Sequence, residues 1–350
     1  MGADLTVWGV TIVAVLALVA LDFFTVSSHP HEVKPREATL WSLFYIAVAI
    51  AWGAGIWAIY GAQYGTEYYT GWLVEKALSV DNLFVFVIIL AKFAVPAKYW
   101  QKVLLFGIVF ALVLRTIFIL LGAAALEYFS FTFVIFGALL IWTAVQLARH
   151  KDEDPDVEDS KIVEIAQKRL PMTDGWHDGR ISIKENGKRL FTPMLLVMIA
   201  IASTDMLFAL DSIPAVYGIT SEPYIVFAAN AFALLGLRAL FFLLKGLLDK
   251  LVYLSIGLAI VLGFIGVKLI LHWAHGVWSW VPEIPTLLSL AVIIGILAVT
   301  AIASWLKVRK DPDVIAHAGS ITKSKSPERD QGPHVLPEKQ AEKQADEVDG

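Results

Sequence analysis

The chain has 350 residues, 57% of them hydrophobic, a net charge of −4 and no cysteine, and its mean hydropathy is +0.67. A water-soluble core of this length does not hide that much apolar surface, so the composition argues for a membrane protein. The lack of cysteine excludes disulfides, thiolate zinc sites and soft-metal thiolate chemistry.

A spanning helix needs about 20 mostly apolar residues. Nine runs of that kind follow one another, at about 7–25, 40–60, 70–92, 102–126, 130–148, 191–219, 224–245, 251–272 and 285–306. The first, Leu5 to Phe24, lacks the basic start and short core of a cleaved signal and is expected to be a retained helix. The stretch 149–190 opens on KDEDPDVEDS and continues through DGWHDGRISIKENGKRL. It reads as a soluble loop in which ISI and RLF pair as a small hairpin. From 307 to 350 the chain is rich in Lys, Glu, Ser and Pro, the composition of a disordered tail. The expected fold class is all-α: a polytopic membrane protein of about nine transmembrane helices.

Lys and Arg mark the cytoplasmic ends of spans. Loops 26–39, 92–102, 149–190 and 245–250 and the tail hold 24 of the 28 basic residues, whereas the alternate loops 61–69, 127–129, 220–223 and 273–284 hold none. The expected topology has the amino terminus outside and the carboxyl terminus in the cytoplasm, in the cell membrane. Tyr68, Tyr69, Trp72, Trp273, Trp278 and Trp280 at one side and Tyr99 and Trp100 at the other sit where interfacial aromatic belts belong.

Two short patterns recur. Ser79-Val80-Asp81-Asn82-Leu83-Phe84 in span 3 matches Ser203-Thr204-Asp205-Met206-Leu207-Phe208 in span 6, and Leu114-Arg115 with Phe118 and Leu120 in span 4 matches Leu237-Arg238 with Phe241 and Leu243 in span 7, at offsets of 124 and 123. Both matches involve charges that are rare inside membranes, and the unit is three spans, so the two copies face opposite ways. Inverted three-helix units are a recurrent design of secondary transporters, with binding near the midplane. The expected division is peripheral helices over 1–60, a first repeat over 61–148, the loop 149–190, a second repeat over 191–272, a peripheral helix over 273–306, and the tail 307–350.

At 1.5 Å per residue, Asp81 lies roughly 17 Å and Asp205 roughly 20 Å into their spans, so the two are expected to meet at mid-depth. Glu75, roughly 8 Å deep, and Asp211 would form a second layer toward the outside. Glu75, Ser79 and Asn82 share a helical stripe, as do Asp205 with Ser212 and Thr204 with Asp211. Pro214 frees the carbonyl of Leu210, so the DSIPA segment is expected to kink or unwind beside Asp211. Carboxylates in hydrocarbon need a cavity, a partner or a bound cation. Oxygen ligands without cysteine or deep histidine suit a hard cation: manganese, calcium, magnesium or protons. Closely spaced acids can also titrate, which makes proton-coupled exchange a natural hypothesis. Arg115 and Arg238, also near mid-depth, are expected to form structural ion pairs that pin the repeats together. Lys76 and Lys268 are expected to snorkel, His272 and His275 to be interfacial, and Asp22 and Glu127 to reach water. No phosphate-binding Gly loop, HExxH pattern or nucleophile elbow is present, so no enzyme activity and no resident cofactor are expected, and no nucleic-acid partner.

The runs GWLVEKALSVDNLFVF and STDMLFALDSIPAVYGIT, with the TP before span 6, resemble the TerC family of integral membrane proteins across about residues 40–305. The resemblance implies a transporter superfamily of two inverted three-helix units and a role in metal-ion homeostasis, with manganese efflux as the activity. It also implies that Glu75, Asp81, Asp205 and Asp211 serve the ion, with Asn82 as an additional ligand. Tellurite is an oxyanion that a carboxylate-lined path repels, so any link to tellurium resistance is expected to be indirect. The leading expectation is thus a proton-coupled exporter of divalent metal cations. The alternative is a membrane scaffold that docks stress-response or protein-assembly partners through 149–190 and the tail.

Overall fold

The computed structural model describes residues 4–27, 35–129, 131–150, 163, 165, 166, 169–173, 175–185, 188–248, 251–278 and 280–310. The acidic run 152–159 and the tail beyond 310 lie outside the described residues, as does the side chain of Asp81.

The apolar runs fold as helices because only a helix satisfies every backbone polar group within one segment of hydrocarbon-embedded chain. They are α1 (Leu5–Ser27), α2 (Pro35–Tyr60), α3 (Ala62–Lys92), α4 (Ala97–Tyr128), α5 (Thr132–Arg149), α6 (Pro193–Tyr217), α7 (Pro223–Leu234), α8 (Leu237–Leu248), α9 (Leu254–Val277) and α10 (Thr286–Lys310). Between α5 and α6 the hairpin expected of ISI and RLF is present. β1 (Ser182–Glu185) and β2 (Lys188–Phe191) pair antiparallel, with Ser182 opposite Phe191 and Ile183 opposite Leu190. Helices α6 and α7 both begin on proline, whose missing N–H is harmless in a first turn.

Seven helices (α1, α2, α4, α5, α6, α9 and α10) are long and apolar enough to cross a bilayer, and the bent pair α7 and α8 makes an eighth crossing if counted as one. The 31-residue α3 has ample length but carries Glu67, Glu75, Lys76 and Asp81. This is a multi-pass α-helical membrane protein.

The segment around Pro214 does not unwind: α6 continues as α-helix through Pro214 to Tyr217. The break falls instead inside the run 224–245, where α7 and α8 meet at 41°. Gly236 there has φ +80°, and a side chain on it would run into the ring of Tyr45, so only glycine fits the turn.

Packing pairs the helices crosswise. Helix α3 lies against α7 and α8, α4 against α6, and α5 against α9 along much of its length. The last pair touches backbone to backbone: a methyl on Gly137 would stand 2.7 Å from the Gly266 carbonyl, and one on Gly266 would stand 2.8 Å from the Gly137 carbonyl. Helix α2, expected to be peripheral, is bound tightly to α3. A one-residue turn at Gly61 joins them, Tyr68 donates to the Ala49 carbonyl at 3.0 Å, and Tyr69 donates to the Ile50 carbonyl at 2.7 Å. Helices α1 and α10 bury the least of their apolar surface.

Candidate functional site

Three helices place polar side chains around one interior point, and Arg115 of α4 is their hub. Its guanidinium is fully buried and forms an ion pair with Glu75 of α3, itself fully buried. The other terminal nitrogen, Nη2, lies 3.5 Å from Asp205 Oδ1 on α6. Oriented to satisfy both ends, the Asn82 amide accepts from Arg115 Nη2 at 3.1 Å and donates to the Leu78 carbonyl at 3.1 Å. Glu75, Asn82 and Asp205 therefore surround one guanidinium, and Glu75 does not belong to a separate outer layer. The length of the arginine side chain, which a reading of depth along each helix ignores, joins the two levels.

The cluster is incompletely satisfied. Asp205 Oδ2 and the hydroxyl of Ser79 are buried with no hydrogen-bond partner among the described residues, and leaving such a group unpaired costs about 1–3 kcal/mol. With both carboxylates ionised, Glu75 and Asp205 outweigh Arg115 by one negative charge. Asp211, half-buried on α6, lies within electrostatic reach of Arg115 and Asp205. Asp81 is on α3 between Ser79 and Asn82, with its side chain outside the described residues. Among the described residues no three His, Cys, Asp or Glu side chains are gathered as a metal-holding group.

Arg238 holds a different partner. Its Nη2 is 2.7 Å and its Nε 3.2 Å from the two carboxylate oxygens of Asp22, and its Nη1 donates to Gln101 at 2.9 Å. Asp22, expected to reach water, is buried and paired; the fork of the guanidinium matches the carboxylate edge to edge. Tyr45 of α2 adds a hydrogen bond to Asp22 at 3.2 Å. This second arginine ties α8 to α1 and α4 rather than to the central acids described above.

The two lysines differ. Lys76 is partly exposed, and its ammonium lies 3.4 Å from the Leu235 carbonyl, one of those freed where α7 stops. Lys268 is buried rather than extended to an interface. His272 is exposed beside Glu283 at 2.8 Å, His275 lies 2.6 Å from the Val281 carbonyl, and Glu127 is exposed.

Two buried polar residues, Glu67 and Asn230, were not singled out from the sequence, and Ser212, expected to share a stripe with Asp205, is buried as well. Glu67 on α3 accepts from Thr220 at 2.6 Å and from Gln63 at 3.1 Å. Ser212 and Asn230 are each 1% exposed, and neither the Ser212 hydroxyl nor either polar atom of the Asn230 amide has a hydrogen-bond partner among the described residues. The signal for Asn230 is present as a lone amide within YIVFAANAFALL. A search confined to charges passes over it.

Comparison with known proteins adds the following. The family model described as "Integral membrane protein TerC family" matches residues 60–312. An uncharacterized membrane protein of Mycobacterium tuberculosis is 45% identical over 324 residues, covering 88% of this chain and 81% of the relative. One of Myxococcus xanthus is 39% identical over 314 residues, covering 90% and 96%. A protein of Escherichia coli named "Putative membrane-bound redox modulator Alx" is 35% identical over 316 residues, covering 87% and 96%. No solved structure matches.

Proposed function

The chain belongs to the TerC family of integral membrane proteins, and from that premise we propose that it is a secondary transporter exporting a divalent metal cation, manganese first, in exchange for protons. The observation that carries this reading is the sharing of Arg115 by Glu75 and Asp205. Two acids from different helices face one guanidinium, and an excess negative charge remains in an interior sealed from solvent. Such a charge is costly in a low-dielectric bundle unless a cation or protons answer it. Carboxylate, amide and hydroxyl oxygens are the donors a hard divalent ion takes. Asp81 and Asp211 supply the further charge that a doubly positive ion requires alongside Arg115.

We read α3 as a ninth crossing, made tolerable by burial of its polar stripe, and the bent pair α7 and α8 as one. The crosswise packing supports an inverted repeat of two units, α3 to α5 and α6 to α9. First helix lies on second, second on first, and third on third, with Gly137 and Gly266 meeting reciprocally. The amino terminus outside and the carboxyl terminus in the cytoplasm of the cell membrane complete the reading, on the distribution of Lys and Arg. The name of the Escherichia coli relative concerns redox balance. This chain has no cysteine with which to exchange thiols, so a redox effect would come through metal balance. Any effect on tellurium resistance is likewise indirect.

Proteoliposome flux tests the reading. Wild-type protein should move manganese in one direction as protons run down an imposed gradient in the other, and Asp205→Asn and Glu75→Gln should not. Wild-type transport by both variants would place the ion elsewhere.

A further inference from the structure

Helices α3, α6 and α7 come together at Gly71. A methyl there would stand 3.1 Å from Val216 Cγ1 and 3.3 Å from Ala229 Cβ, so the absence of a side chain is what lets the three close. One turn away along α3, Thr220 donates to Glu67. These two contacts fix an antiparallel register, because each turn forward along α3 is matched by a turn back along α6. Continued into the bundle, the same spacing would bring Glu75 level with Ser212 and Asn82 level with Asp205, and Arg115 Nη2 does reach both of the last two. Glu67, Gly71, Glu75 and Ser79 follow at four-residue steps, so one stripe of α3 runs from the α6–α7 turn to the central cluster.

Ser212 lies one turn before Val216 on α6, and Asn230 follows Ala229 on α7. Both are sealed from solvent, and neither hydroxyl nor amide is paired among the described residues. Native interiors rarely keep such groups idle. Neither is hydrogen-bonded to the charged cluster among the described residues, and both are neutral. A permeating ion needs oxygens that replace its water yet hold it weakly enough to leave.

We propose that Ser212 and Asn230 form a neutral relay site for a hard cation between the Glu75 and Asp205 cluster and the Glu67–Thr220 hydrogen bond, and that this bond closes the route at the α6–α7 end. The proposal rests on the transport reading above and adds to it two neutral residues, Ser212 directly after Asp211 and Asn230 beyond both acidic motifs.

The test separates flux from binding. Ser212→Ala and Asn230→Ser, small enough for the packed interior to accept, are reconstituted with wild type and Asp205→Asn. Manganese flux is measured in proteoliposomes, and manganese affinity from metal-dependent thermal stabilisation in detergent. The relay site requires flux to fall about tenfold in each variant, the worth of one lost polar contact, while affinity stays near wild type. Asp205→Asn should lose both. Thr220→Val, which removes the closing bond, should speed exchange. Wild-type flux in Ser212→Ala and Asn230→Ser overturns the relay site, and so does equal loss of flux and affinity, which would merge these residues with the central cluster. If wild-type protein itself neither moves manganese nor is stabilised by it, the transport reading fails first and the relay with it.

Discussion

Arg115 on α4 and Asp205 on α6 face one another with Nη2 3.5 Å from Oδ1, both shut away from solvent. The same guanidinium binds Glu75 on α3, so a single side chain spans three helices. Breaking a buried pair by removing one member costs about 3–5 kcal/mol, because the other charge is left uncompensated. Arg115→Gln should therefore lower the melting temperature strongly. Adding Asp205→Asn to it should recover part of the loss, since one stranded carboxylate is removed. Additive melting shifts across this double-mutant cycle would mean that the two residues do not interact.

A second prediction concerns α1. Asp22 is all of the carboxylate that α1 offers to Arg238, and the helix otherwise buries little of its surface. Asp22→Asn should destabilise the protein by about 3–5 kcal/mol by the same argument, with the loss concentrated at one end. Hydrogen exchange should rise across α1 and around Gln101, while the contact of α5 with α9 stays protected. Uniform acceleration of exchange throughout the chain would contradict it.

The reciprocal glycines give a third. At Gly137 the added atom of alanine meets the Gly266 carbonyl, which cannot swing aside as a side chain can. Overpacking of this kind typically costs about 1–3 kcal/mol. Gly137→Ala and Gly266→Ala should each reduce thermal stability, whereas Gly295→Ala, where nothing lies within 4 Å of the added atom, should not. Equal melting of all three variants would remove the close approach of α5 and α9 from the account.

Much of this was legible in the chain. Long apolar runs announced the helices, and charges inside them announced Arg115, Asp205 and Glu75, because a charge in hydrocarbon is too costly to be incidental. What escaped was set by distance in sequence or by silence in composition. Asp22 lies near the end of its run, where water is the ordinary partner, and its arginine is 216 residues away. Gly236 interrupts nothing that hydropathy can register, while α6 stays helical through Pro214, where unwinding was expected. Glu67 sits among Tyr, Thr and Gly before the apolar part of α3 begins. Its burial follows from the meeting of α3 and α6, which neither helix records alone.

The tyrosine bonds between α2 and α3 carry a mechanical consequence. With a turn of a single glycine at one end and two hydroxyls clamped onto backbone carbonyls, the two helices form one lever. Any tilt of the acid-bearing helix would carry α2 with it.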